Sequence, residues 1–204
     1  MEVYSSDISN DEIHELEISH YEGEIFVIEN AKDIETAVAE LKKQSVLGFD
    51  TETKPSFKKG ETHKTSLLQL SGNGKVFLFR LLSCGIPESL KSLLEDNDIL
   101  KAGVAIKDDL RKLQKIKPFK PAGFVELQTL STKLGIESNG LRKLAAIVLG
   151  IRISKGQQLS NWEADRLSEQ QIIYAATDAW VSAEIYKKLR ISTNWVNVEK
   201  DGES

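Results

Sequence analysis

Two carboxylates one residue apart, Asp50 and Glu52, close the apolar run VLGFDTET at residues 46–53. In an extended strand residues i and i+2 share a face, so the two acids project together while Thr51 points away. Like charges held side by side repel and disfavour ionisation. A hard cation relieves this repulsion, and an all-oxygen donor set suits Mg²⁺ or Mn²⁺. Two other stretches carry similar chemistry. In AIKDDLRKL, Asp108 and Asp109 open an apolar helical pattern, and in YAATDAW, Tyr174 and Asp178 stand four apart on one helix face. Carboxylates gathered around divalent cations equip a protein for phosphodiester hydrolysis, where two ions activate water and neutralise the departing oxygen. Each stretch also has a plainer reading. Asp-x-Glu pairs end strands as solvated residues, tyrosine packs on helix surfaces, and aspartate is favoured at helix N-termini, where it accepts backbone N–H groups.

The elements that must hold these residues follow from periodicity. EIFVIEN reads as a strand, and AKDIETAVAELKKQ sets Ile34, Val38 and Leu41 at helical spacing. SVLGFDTET, TSLLQLS and KVFLFRL are three successive strand-like runs, which predict an antiparallel meander. Then PESLKSLLED reads as helix, ILKAGVAI as strand, KDDLRKLQKI as helix and GFVELQTLS as strand. Helices follow in GLRKLAAIVLG and SEQQIIYAATDAWVSAEIYKKLR. This order predicts an α/β fold, a mixed sheet covered by helices. Residues 1–22 are polar and acidic and are expected to form a loosely packed extension, 23–190 the regular domain, and 191–204 a tail that frays beyond the last helix.

With 204 residues, 40% of them hydrophobic, the chain suits one sizeable core. A net charge of -4 gives no global attraction to a polyanion, so nucleic acid must be received by a local basic surface or by bound cations. Cys84 is the sole cysteine, which excludes an internal disulfide and a CxxC zinc or redox motif and fits a reducing compartment. The N-terminal residues lack a basic segment followed by an apolar one, and no apolar run approaches transmembrane length. The expectation is a cytoplasmic protein without membrane partners.

FDTET on a strand, AGVAIKDDL at a strand-to-helix junction and YAATDAW on a helix, in this order, resemble the DEDD superfamily of 3′-5′ exonucleases, in the subgroup with tyrosine in the third motif. The resemblance runs from about residue 23 to about 190. Through LKAGVAIKDDLRKL, FVEL, LSNW and YAATDAW it is nearest to the exonuclease domain of the Werner syndrome helicase, with RNase D more distant. It implies an RNase H-like fold with a mixed five-stranded central sheet flanked by helices. It also implies two divalent ions, Mg²⁺ or Mn²⁺, held by Asp50, Glu52, Asp109 and Asp178, with Asp50 bridging them. Asp109 is preferred to Asp108 because the family's acid directly precedes the apolar helix residue, which leaves Asp108 as a cap. Tyr174 would orient the attacking water, as a positioner rather than a strong base, since an ordinary phenol has a pKa near 10. The implied activity is 3′-5′ hydrolysis of nucleic acid from a free 3′ end, releasing nucleoside 5′-monophosphates, with DNA favoured over RNA. RNase D-like RNA 3′ processing and a catalytically silent nucleic-acid-binding domain are the alternatives. A haloacid-dehalogenase-like phosphatase fits less well, because Glu52 replaces the second Asp of its Asp-x-Asp-x-Thr motif and YAATD has no place there.

Substrate contacts are sought in two basic stretches. KPSFKKGETHK sets Lys54, Lys58, Lys59 and Lys64 around Phe57 just after the acidic strand, a composition suited to tracking a backbone and stacking a base, although a solvated loop is the simpler reading. Arg142 and Lys143, with Arg152 and Lys155, form the second cluster. By resemblance, backbone groups near Thr51 and Glu52 would meet the terminal 3′ hydroxyl. The substrate-binding candidates are therefore Thr51, Phe57, Lys58, Lys59 and Arg142. Trp162 is expected to anchor packing and Ser168 to cap the last helix with Gln171. Gln69 and Glu126, both in strands, and the lone His63 receive no catalytic role.

Overall fold

A computed structural model describes residues 3–58, 60–138 and 140–193. Lys59 and most of the predicted tail, 194–204, lie outside the described residues. In chain order come α1 (Asn10–Glu15), β1 (Glu24–Ile28), α2 (Ala31–Leu41), β2 (Val46–Thr53), β3 (Thr65–Gly72) and β4 (Lys75–Arg80). Then follow α3 (Leu81–Cys84), α4 (Glu88–Leu94), β5 (Leu100–Gly103), α5 (Ile106–Ile116), β6 (Phe124–Glu126) and α6 (Leu127–Thr132). α7 (Leu141–Leu144), a π-helical turn (Ala145–Leu149) and α8 (Glu169–Thr193) complete the described residues.

These residues form one mixed sheet of six strands in the order β1-β4-β3-β2-β5-β6. β2, β3 and β4 make the antiparallel meander, while β1 runs parallel to β4, β5 to β2, and β6 to β5. The sheet thus has one strand more than the five that family resemblance implies. The sixth, β6, is only three residues long. GFVELQTLS does not continue as strand, because the Glu126 carboxylate accepts the Gln128 N–H at 3.1 Å and starts α6 there.

Strand alternation assigns the two faces. Leu47 and Phe49 of β2 enter an apolar cluster with Ile34 and Leu41 of α2, Leu90 of α4 and Leu113 of α5. α8 crosses the opposite face over β2, β3, β4 and β5. Its buried Ala175, Ala176 and Ala179 keep that crossing close. The pairing register of β2 against β3 shifts between Glu52 and Thr53, so regular alternation ends at the second acid.

The N-terminal segment is mostly exposed but makes specific contacts with the rest of the chain. A reciprocal capping box between Ser9 and Glu12 starts α1, which buries Ile13 completely. Further on, Ser19 N–H donates to Arg152 O at 2.8 Å and Arg152 N–H to Glu17 O at 2.9 Å. Tyr4 and Ser192 hydroxyls meet at 2.6 Å, and Lys143 Nζ donates to Asp7 at 2.7 Å. A six-residue helix with one buried apolar residue is too short to show periodicity in sequence. No described helix is long and apolar enough to cross a membrane.

Candidate active site

β2 carries Asp50 and Glu52 toward α8, and α8 carries Tyr174 and Asp178 toward β2. What lets the helix backbone lie against the strand is Gly48. A Cβ added there would stand 1.8 Å from Ala179 O, and the Ser71 hydroxyl donates to that same carbonyl at 2.9 Å. Asp178, next to Ala179, is thereby set beside Asp50. Sequence reasoning missed Gly48 and Ser71; the available signal was a glycine inside an apolar strand, which marks close approach of another backbone. The N-terminus of α8 is fixed as expected. Gln171 N–H donates to Ser168 Oγ at 3.2 Å and Ser168 N–H to Gln171 Oε1 at 2.9 Å. Trp162 is fully buried with its ring 6.1 Å from that of Tyr174, so it backs the tyrosine as an anchor.

Among the described residues, carboxylate oxygens of Asp50, Glu52 and Asp178 all lie within 4.8 Å of one another. Glu52 and Asp178 are only 9% and 7% exposed. Burial pushes the Asp50 carboxyl well above the usual carboxylate range, and Asp178 and Asp109 push it further. Burial and then the Asp50 charge raise Glu52 to about 10. Burial raises Asp178 to about 7, against a lowering by the hydrogen bond from the Tyr174 hydroxyl. The Tyr174 phenol is raised by burial first and then by Asp178, Glu52 and Asp50, so it stays protonated and donates to Asp178.

Asp109 stands beside this trio rather than in it. Its carboxylate accepts the Thr51 hydroxyl at 2.8 Å and lies 4.0 Å from Lys112, and burial raises its pKa. Thr51, expected to offer its backbone to a 3′ hydroxyl, spends its side chain on Asp109. The start of α5 is set from a distance: Glu126 accepts the N–H groups of Ala105 at 3.0 Å and Ile106 at 2.9 Å. Glu126 therefore caps α5 as well as α6, and Asp108, assigned as a cap in sequence, instead pairs with Arg111 at 3.0 Å.

Asp50, Glu52, Asp178 and Tyr174 line a cavity of about 570 Å³ whose lining also includes Asn10, Arg142, Lys143 and Lys155. Arg142 is thus brought to the site as expected. Phe57 and Lys58 are not. They line a separate cavity of about 270 Å³ with Lys54, His63 and Leu159, and Phe57 is 78% exposed. Glu163 fastens that loop by contacts to His63 at 3.0 Å and Lys54 at 3.3 Å. The loop that carries them leaves β2 just beyond the register shift at Glu52/Thr53. A third cavity, of about 300 Å³, is also lined by Tyr174 and Asp178, together with Ile18, His20 and Gln170.

The donor set fits hard divalent cations. It is all oxygen, holds no histidine or cysteine, and its like charges stay apart from protons only if positive charge is supplied. The 3′-5′ exonuclease domain family matches residues 25–193. The bifunctional 3′-5′ exonuclease/ATP-dependent helicase WRN of Mus musculus is 39% identical over 155 residues, covering 73% of this chain and 11% of that protein. Exonuclease 3′-5′ domain-containing protein 2 of Drosophila melanogaster is 39% identical over 148 residues, 71% of this chain and 25% of its own length. The chain therefore spans a quarter or less of these two relatives. Among solved structures, the Nibbler EXO domain of Aedes aegypti superposes with a TM-score of 0.76 at 23% identity, covering 85% of this chain and 90% of that one. Escherichia coli RNase D gives 0.75 at 24% identity, covering 82% and 44%. The RNase D of Trypanosoma brucei in complex with RNA U12 gives 0.72 at 22%, covering 83% and 63%.

Proposed function

This chain belongs to the DEDD-type 3′-5′ exonucleases, hydrolases of nucleic acid, and from that premise we propose that it releases nucleoside 5′-monophosphates from free 3′ ends of DNA in preference to RNA, using two Mg²⁺ or Mn²⁺ ions. The observation that carries this reading is the carboxylate trio Asp50, Glu52 and Asp178, with the Tyr174 hydroxyl beside it and basic residues lining the same cavity. Cations bound by the trio, with Asp109 alongside, would supply the charge that acidifies a water and stabilises the departing oxygen.

The chain's own residues divide the remaining work. Because the Tyr174 proton is committed to Asp178, its phenolic oxygen keeps lone pairs for a hydrogen bond from a water in the cavity. It orients that water and, with its raised pKa, takes no proton at neutral pH. Arg142 and Lys155, in the lining of the same cavity, receive backbone phosphates, Arg142 in forked geometry. Tyr174→Phe should retain Mn²⁺ binding in calorimetry while kcat falls on the order of tenfold to a thousandfold, as for a lost positioning contact. Loss of Mn²⁺ binding in that variant would instead make Tyr174 part of the cation seat.

The activity is tested on matched 5′-labelled DNA and RNA strands and on circular single-stranded DNA, with Mn²⁺ and with chelator. Linear strands should shorten one nucleotide at a time from the 3′ end, DNA faster, with the circle intact and no activity in chelator. Mononucleotide released first from the labelled 5′ end, or rapid linearisation of the circle, would overturn the direction. Activity that survives chelation would overturn the cation mechanism. Faster loss of RNA would favour a second reading, RNA 3′ processing, which the fold shared with an RNase D solved in complex with RNA supports.

A further inference from the structure

Gln69 of β3 stands directly opposite Asp50 in the antiparallel register of β2 and β3. Opposed residues of such a pair point to the same face with Cβ atoms about 4.5–5.5 Å apart, so the Gln69 side chain shares the α8 face with Asp50. It is fully buried, and neither its Nε2 nor its Oε1 has a hydrogen-bond partner. Its neighbours on that face offer no substitute: Leu67 precedes it, Leu78 lies opposite in β4, and the hydroxyl of Ser71 is already given to Ala179. Other buried polar atoms among the described residues also lack partners, including Trp162 Nε1 and the hydroxyls of Thr53 and Thr65. Of the strand residues in that set, only Gln69 is in register with an acid of the site, since Thr53 and Thr65 face each other. A buried amide with nothing to bind is destabilising, and a leucine of similar size would remove that penalty.

A carboxylate that holds a cation presents some lone pairs to the ion and is fixed in orientation by donors at the others. Asp50 receives the Thr51 backbone N–H, and the Gln69 amide, opposite it in register, holds an unused donor. We propose that Gln69 is a positioning residue for the cation site, its Nε2 donating to the Asp50 carboxylate when the acids hold cations and so fixing which oxygen faces them. This rests on the cation-dependent reading of the site given above.

The test compares wild type, Gln69→Leu and Gln69→Met by melting in chelator and by Mn²⁺ titration in a calorimeter, with no substrate present. Both variants should melt at or above the wild-type temperature in chelator, and both should bind Mn²⁺ about 10–100-fold more weakly, the scale of a lost partner behind a metal ligand. A purely structural amide would move the melting temperature alone. Wild-type Mn²⁺ affinity in either folded variant would overturn the assignment to Gln69 and leave the cation site standing, whereas no Mn²⁺ binding by the wild type would overturn both.

Discussion

Asp50→Ala should lower turnover by about 10³-fold or more, given that loss of a mere partner behind a metal ligand costs about 10–100-fold, while the cation-free protein melts at the same temperature or higher. The substitution removes one of three clustered carboxyls whose oxygens lie within 4.8 Å of one another, so the like-charge cost of folding falls. pH dependence follows from the same groups. Asp50, Glu52 and Asp178 all have folded pKa values raised above their ordinary 3.8 or 4.5, Asp178 to about 7 and Glu52 to about 10. Raised carboxyls give stability that is fully present below the unfolded values and is lost as pH rises through the folded ones. In chelator the wild type should therefore melt progressively lower from pH 5 toward pH 9, as the groups raised to about 7 and about 10 lose their protons. Saturating Mn²⁺ should remove that slope, because cations then take the place of protons. Scanning calorimetry at several pH values, with chelator and with Mn²⁺, measures both effects. A large drop in melting temperature for Asp50→Ala in chelator would mark Asp50 as a structural residue instead.

Gly48→Ala should lose both stability and rate although it touches no substrate. The added methyl would fall 1.8 Å from Ala179 O, and backbone cannot yield as a side-chain tip can. α8 must therefore lift from β2, breaking the 2.9 Å bond from Ser71 and carrying Asp178 away from Asp50. Overpacking of this kind costs about 1–3 kcal/mol. A displacement of roughly 1 Å in a reacting assembly costs about 100-fold in rate. Urea melts and single-turnover rates check the two halves separately. A less stable Gly48→Ala with wild-type rate would show that the helix seat does not set the position of Asp178. Ser71→Ala, which deletes only the hydroxyl, should show the same pattern at about 1 kcal/mol.

Asp50 with Glu52, and Tyr174 with Asp178, could be paired from local spacing, two along a strand and four along a helix, whereas Asp109 and the joining of the three stretches rested on family resemblance. The Ser168–Gln171 box was likewise legible from local spacing. What sequence left dark is what tertiary contact decides. Glu126 caps a helix that begins 20 residues before it, so no local pattern links them. Ser71 reads as one more polar strand residue until α8 is laid over it. Asp7 pairs with Lys143 across 136 positions, and the segment that carries it has too few apolar residues to announce a fold. Phe57 and Lys58 show the converse, since they follow Glu52 closely in sequence yet line a different cavity from it. Six strand-like runs were legible, GFVELQTLS among them, although the resemblance implied five; what the pattern overran was the length of β6, where three residues pair before a carboxylate turns the chain into helix.

The register shift between Glu52 and Thr53 divides β2 from its connector in a way that bears on insertions and deletions. One residue added or removed within 46–49, with β2 otherwise held in register, would turn the strand's faces over, sending Asp50 toward Leu90 and Leu113 and an apolar neighbour toward Asp178. The same change among residues 54–64 alters only a loop. Tolerance to length change should therefore jump from none to ample within a few positions, so that related chains can differ freely in the distance between their acidic segments while keeping the frame inside each one.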